Sequence, residues 1–111
     1  MKSLIRVDIL EQKENAKLCT ENCGVDWLSP QPQQEATERL RHIYRDSVQI
    51  HFLDLGNLQV RQEHGQWLKR VEEEGLLLPL LVIDGEVRIS GFFDMRMLLD
   101  MIEAERELGR G

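Results

Sequence analysis

Near the N-terminus, Ile5, Val7 and Ile9 alternate with Arg6 and Asp8. That period of two predicts a strand over Ser3 to Leu10 with one face buried. A long polar loop follows, after which Pro30 and Pro32 predict an extended approach, because proline disfavours helix in the residue before it. From about Gln33 to Arg45 the apolar positions are Ala36, Leu40, Ile43 and Tyr44, a spacing that lays one stripe along a helix. The stretch "SVQIHFLDL" reads as a second strand. Val48, Ile50 and Phe52 share one face, while Leu53 and Leu55 share the other with Gln49 and His51, and Gly56 and Asn57 end it.

A second helix is predicted from about Leu58 to Glu74, with Val60, Trp67, Leu68 and Val71 on its inner side and His64 on the same stripe. Gly75 suits its C-terminal cap, since glycine tolerates the left-handed conformation needed there. Leu80 to Ile83 is a continuous apolar run, as in a strand covered on both faces. Asp84-Gly85 is a two-residue hairpin signal. Val87 and Ile89 then alternate with Glu86, Arg88 and Ser90 in an edge strand. A last helix, about Asp94 to Glu107, buries Met95, Leu98, Leu99 and Ile102, with Asp94 as N-cap. Met97 and Met101 are expected at its core and rim, not in a sulfur ligand set.

The predicted order is β-α-β-α-β-β-α. A strand–helix–strand unit implies a parallel pair joined by a crossover, and the Asp-Gly hairpin makes the last two strands antiparallel. The expected fold is therefore α/β, a mixed four-stranded sheet with helices on both faces. With 111 residues the chain is long enough for one domain, residues 1–111, and too short for two.

Composition narrows the function classes. Hydrophobic residues make up 41% and charged residues 31%, as in an ordinary globular protein. The longest apolar run, Leu76 to Ile83, is interrupted by Pro79 and falls far short of the roughly 20 residues a membrane-spanning helix needs. The opening "MKSLIRVDILEQKEN" lacks the pattern of a signal peptide, so a cytoplasmic location is expected, with no membrane partner. The formal net charge of −6 opposes nucleic-acid binding. Arg39, Arg41 and Arg45 are interleaved with Glu35, Glu38 and Asp46, which reads as a solvated helix face. No phosphate loop, nucleophile elbow or paired-carboxylate site is apparent, and no cofactor is implied.

Both cysteines lie in "KLCTENCG", as Cys19 and Cys23. In a reducing compartment a stable structural disulfide is disfavoured, so a pair that oxidises is transient and catalytic or redox-sensing. Three readings stay open: reversible dithiol–disulfide chemistry, binding of a soft metal or metalloid ion, or two inert thiols. Lys13 and Lys17 favour the thiolate, while Glu14, Glu21 and Asp26 oppose it. A zinc site normally needs four ligands, and His42, His51 and His64 show no short spacing, so no zinc site is expected. Trp27 either shields the thiols or anchors the loop on the core. Asp26 suits a surface or capping role better than that of a proton acceptor, and His64 is expected to be a packed, hydrogen-bonded histidine.

The segment "EEGLLLPLLVIDGEVRISGFFDMRMLLDMIE" resembles the thioredoxin-like superfamily: a proline before a strand, a tight glycine turn, a second strand, a glycine and an amphipathic helix. The resemblance implies that Pro79 is cis and lies beside the active cysteines. It further implies thiol–disulfide exchange, with Cys19 attacking, Cys23 resolving, and protein thiols or disulfides as partners. The spacing departs from that superfamily's usual Cys-x-x-Cys, since three residues separate the thiols. A nearer likeness is to the ArsD family of arsenical-resistance metallochaperones, through "CG" at Cys23-Gly24, "FLDL", "NLQVRQEHGQWL" and "LPLLVIDGEVRISGFF". That family binds trivalent metalloids through three thiolates. Here Leu18 precedes Cys19 and no third cysteine exists, so that site cannot be assembled within one chain. A thioredoxin-fold module that binds partners without redox chemistry is the remaining alternative.

Overall fold

A computed structural model describes residues 4–12 and 26–110. Four strands, β1 (Ile5–Glu11), β2 (Val48–Asp54), β3 (Leu80–Ile83) and β4 (Glu86–Ser90), form one sheet in the order β2-β1-β3-β4. β1 pairs parallel with β2 and antiparallel with β3, and β3 pairs antiparallel with β4. Helices α1 (Pro30–Tyr44), α2 (Leu58–Glu74) and α3 (Met95–Arg110) complete the thioredoxin-like order β-α-β-α-β-β-α.

The alternation within each strand divides the core into two layers. On one face, Val7, Ile9, Leu81 and Ile83 pack with Ala36, Leu40 and Tyr44 of α1 and with Leu98 and Ile102 of α3. Met95, Met97 and Met101 join this layer, as expected for core and rim positions. On the other face, Leu10, Leu80 and Val82 pack with Trp67 and the partly buried Val60, Leu68 and Val71 of α2. Helices thus cover both faces. Among the described residues, no helix is long and apolar enough to cross a membrane.

Several local signals act where the sequence puts them. Asp84 and Gly85 both take positive φ, 50° and 85°, as a two-residue hairpin whose twist matches its strands requires. Gly75 caps α2 at φ 66°. The carboxylate of Asp94 accepts the Met97 N–H at 2.9 Å. Asn57 does the same work for α2, accepting from the N–H groups of Gln59 and Val60.

Three expectations need correction. α1 starts at Pro30 rather than Gln33. The first N–H groups of a helix have no intrahelical partner, so prolines at positions 30 and 32 remove nothing the first turn would use. Ile43 is about half exposed, 48%, because the buried stripe follows Ala36, Leu40 and Tyr44, four residues apart, and leaves Ile43 at its margin. Finally, the polar face of β1 meets solvent only at Arg6. α2 lies over that face, and Asp8 is only 8% exposed, held by Arg6.

Tyr44 locks α1 to α3. Its phenol donates to Glu103 at 2.5 Å and the Arg106 guanidinium lies over its ring. Burial raises the phenol pKa above the ordinary 10.0, the Glu103 hydrogen bond and charge raise it further, and Arg106 opposes. A raised folded pKa means that this contribution is whole below about pH 10 and is lost above it, as the unfolded phenol ionises. Tyr44→Phe is therefore expected to cost about 1–2 kcal/mol in urea melts at pH 7 and to flatten the fall in stability above about pH 10. Because Tyr44 is the sole tyrosine, tyrosinate absorbance reads it without interference.

At the C-terminal end of α1, Arg45 takes φ 55° and ψ −117°, a region that favours glycine. Arg45→Gly should raise stability by about 1 kcal/mol in the same melts. An unchanged or lower midpoint would show that the Arg45 side chain compensates for its backbone.

Candidate functional site

The C-terminal end of β1 meets the N-terminal end of β3, with Leu10 opposite Leu80 and Leu80 opposite Ser90. Pro79 is buried just before β3, and the Leu78–Pro79 peptide is cis, as the resemblance implies. The proline carbonyl accepts the Gly91 N–H at 2.9 Å. Gly91 itself sits at φ 107°, a conformation side-chain-bearing residues avoid. One residue earlier, the Ser90 hydroxyl accepts the Leu77 N–H at 2.7 Å and donates to the Leu77 carbonyl at 3.3 Å. The approach to Pro79 is thereby tied to β4. Among the described residues, no hydrogen bond reaches the N–H or C=O of Leu78. Leu77 and Phe92 flank this edge and are 65% and 54% exposed.

Two well-anchored residues bracket the segment that carries the cysteines. Upstream is Glu11, the last residue of β1. Its carbonyl accepts the Leu55 N–H at 2.8 Å, and its side chain accepts the Gln12 N–H at 2.9 Å. It is only 4% exposed. The sequence reading ends the strand at Leu10 and misses this carboxyl. A signal exists: Glu11 is the next position on the stripe Ile5, Val7, Ile9, where an apolar residue would be expected.

Downstream is Trp27, which is fully buried. It stacks on Phe93 and Phe52 at centroid distances of 5.1 and 6.4 Å, and its indole N–H donates to the Phe93 carbonyl at 3.3 Å. Trp27 thus anchors the chain on the core. Asp26 binds the Ser29 hydroxyl at 2.6 Å and the Leu28 N–H at 3.1 Å, a turn at the entry to α1. It is an exposed residue of the turn before the helix, whose N-cap is Ser29.

Cys19 and Cys23 lie outside the described residues. Neither is the cap of α1, whose first residue, Pro30, comes after both in the chain. The histidines remain dispersed, with His42 on α1, His51 on β2 and His64 on α2. His64 departs from expectation. It takes a non-helical φ of −128° within α2 and lines an open groove, and among the described residues its side chain makes no hydrogen bond.

No protein-family model matches the chain, and no curated protein matches it either.

Ser90→Ala removes both bonds to Leu77 and is expected to lower stability by about 1–2 kcal/mol. It should also speed amide exchange at Leu77 relative to the β1 amides, measured by hydrogen–deuterium exchange. Unchanged exchange at Leu77 would mean that Ser90 is dispensable to this edge.

Proposed function

We propose that this chain is a small thioredoxin-like protein of the cytoplasm that exchanges electrons with protein dithiols and disulfides through Cys19 and Cys23. The observation that carries the reading is the main chain of Leu78 beside Pro79, without a hydrogen-bond partner among the described residues, at the end of the sheet from which the cysteine segment departs. An extended partner strand can add there by main-chain hydrogen bonds, as in strand addition to a sheet edge.

The chemistry balances within the two chains. The Cys19 thiolate attacks one sulfur of a partner disulfide and expels the other as thiolate, giving a mixed disulfide. The Cys23 thiolate then attacks Cys19 sulfur and releases the partner as a dithiol. Two electrons pass to the partner, and the chain is left with a Cys19–Cys23 disulfide that glutathione can reduce.

The test is the redox state of the pair across a series of glutathione ratios, read by thiol trapping and mass spectrometry. A Cys19–Cys23 disulfide that titrates near the cytosolic poise, about −220 to −320 mV, is the expected result. A pair that never oxidises sinks the proposal. The ArsD likeness supplies the competing reading, a carrier of trivalent metalloids. Stoichiometric arsenite binding without measurable exchange would favour it. Full cellular function in Cys19→Ser and Cys23→Ser variants would instead favour a partner-binding module without redox chemistry.

A further inference from the structure

The opposite end of the sheet carries a second feature, independent of the cysteines. Beyond the break at His64, α2 continues through Gly65, whose Cβ position meets open space. From there Gln66, Trp67 and Arg70 overhang the start of β1 and the β3–β4 turn. Between them lies an open groove of about 670 Å³, lined also by Arg6, Asp8, His64 and the Asp84-Gly85 turn. Its size is that of a small-ligand site.

The groove's charges are arranged so that donors are left over. Asp8 is a buried carboxylate on the central strand, and both its oxygens sit 3.2 Å from Arg6 Nε. The Arg6 side chain is itself about half exposed, at 51%. Arg70 gives Nε and Nη2 to Glu74 and lies over the Trp67 ring at 4.8 Å. Among the described residues, no acceptor reaches the terminal nitrogens of Arg6 or Nη1 of Arg70. Asp8 is held by Arg6, and Oδ1 of Asp84 accepts the Arg6 backbone N–H at 3.0 Å. The groups offered to an anion are guanidinium N–H, the imidazole of His64 and the amide of Gln66.

A buried ion pair is weak support for stability, since apolar residues of like volume usually serve as well. Asp8 has Leu10 as its next neighbour on the α2 side of β1, and Val82 as its partner across the sheet. An apolar side chain would suit that layer. A carboxylate there does something an apolar residue cannot: it fixes the Nε side of Arg6 and leaves the forked end available. Guanidinium forks match phosphate and carboxylate oxygens.

We propose that this groove binds a small oxyanion, a phosphate or carboxylate group, between Arg6 and Arg70, with Asp8 as the residue that positions Arg6. The site stands apart from the thiol chemistry and survives the failure of that reading.

The experiment is a titration of the ¹⁵N-labelled full chain with inorganic phosphate at fixed ionic strength, with acetate in a parallel arm. Saturable shifts of the Trp67 indole and the Gly85 amide are expected, while the Trp27 indole stays still as an internal reference. Saturation at lower concentration by one of the two anions identifies the preferred group. Arg70→Gln should weaken binding about tenfold, the loss of one charge-assisted hydrogen bond. Arg96→Gln, on the exposed side of α3, should leave binding unchanged. Arg6→Gln should weaken binding as much as Arg70→Gln, and if it does not fold, Arg70→Gln decides alone. Shifts that grow linearly without saturating, or an Arg70→Gln affinity equal to that of wild type, would overturn the proposal.

Discussion

The structure depends on the double enclosure of β1. This strand is hydrogen-bonded along both edges, to β2 and β3, and covered on both faces, by α1 and α3 on one side and α2 on the other. A strand so placed has nowhere to hide a polar side chain. Each one must be met by a partner inside the fold or at the sheet's end, because an unmet buried charge costs several kcal/mol. β1 nevertheless carries Arg6, Asp8 and Glu11. Asp8 is met by Arg6. Glu11 is placed at the strand's last position, where the chain leaves the sheet.

Those charged residues divide the strand functionally. Asp8 and Glu11 are three residues apart, roughly 10 Å along an extended chain, and face opposite layers. Asp8 is held by Arg6, while Glu11 accepts the Gln12 N–H, so each carboxylate has neighbours of its own. One end of β1 bears the groove of Arg6 and Asp8. The other bears Pro79 and the anchors Glu11 and Trp27. The same enclosure that makes β1 the centre of the core thus fixes the Arg6–Asp8 pair at one end and the Glu11 backbone at the other.

The periodic elements were readable because packing and local pattern agree in them. α2 and β3 fall where their stripes place them, and the Asp84-Gly85 turn, Gly75 and Asp94 act as their chemistry predicts. What escaped the sequence lies where tertiary context overrides pattern. Strict alternation in β1 reads as one buried face and one wet face, yet α2 covers the second, and only the three-dimensional arrangement reveals that Asp8 is buried. Pro30 and Pro32 read as a barrier to helix, although the first turn has no hydrogen bonds for them to break. His64 sits on the inner stripe of α2 by count, but its own non-helical backbone sets it in a groove while Val60, Trp67, Leu68 and Val71 keep to the core. Of the residues named for the proposed thiol site, only Pro79 lies among the described residues, and its cis peptide is what the resemblance implies. Glu11 and the Ser90 bonds to Leu77 escaped the sequence because they depend on contacts between segments distant in the chain.

On the proposed reading, the edge at Leu78 also constrains what a partner looks like. Main-chain hydrogen bonds to Leu78 are available to any extended segment, so they hold a partner without selecting it. Selection must come from side chains beside that edge. The two most exposed are Leu77 and Phe92, held apart by Gly91, whose Cβ position lies 3.7 Å from Leu77. Both are apolar, and the chain as a whole is acidic at −6. Burying each of those side chains against a partner yields about 1.5–3 kcal/mol, which matches or exceeds the net value of a main-chain hydrogen bond. Long-range attraction favours a basic partner, but an acidic surface acts mainly on encounter rate. The segment that settles onto Leu78 is then best described as extended, apolar at the residues flanking its cysteine, and carried on a protein of net positive charge.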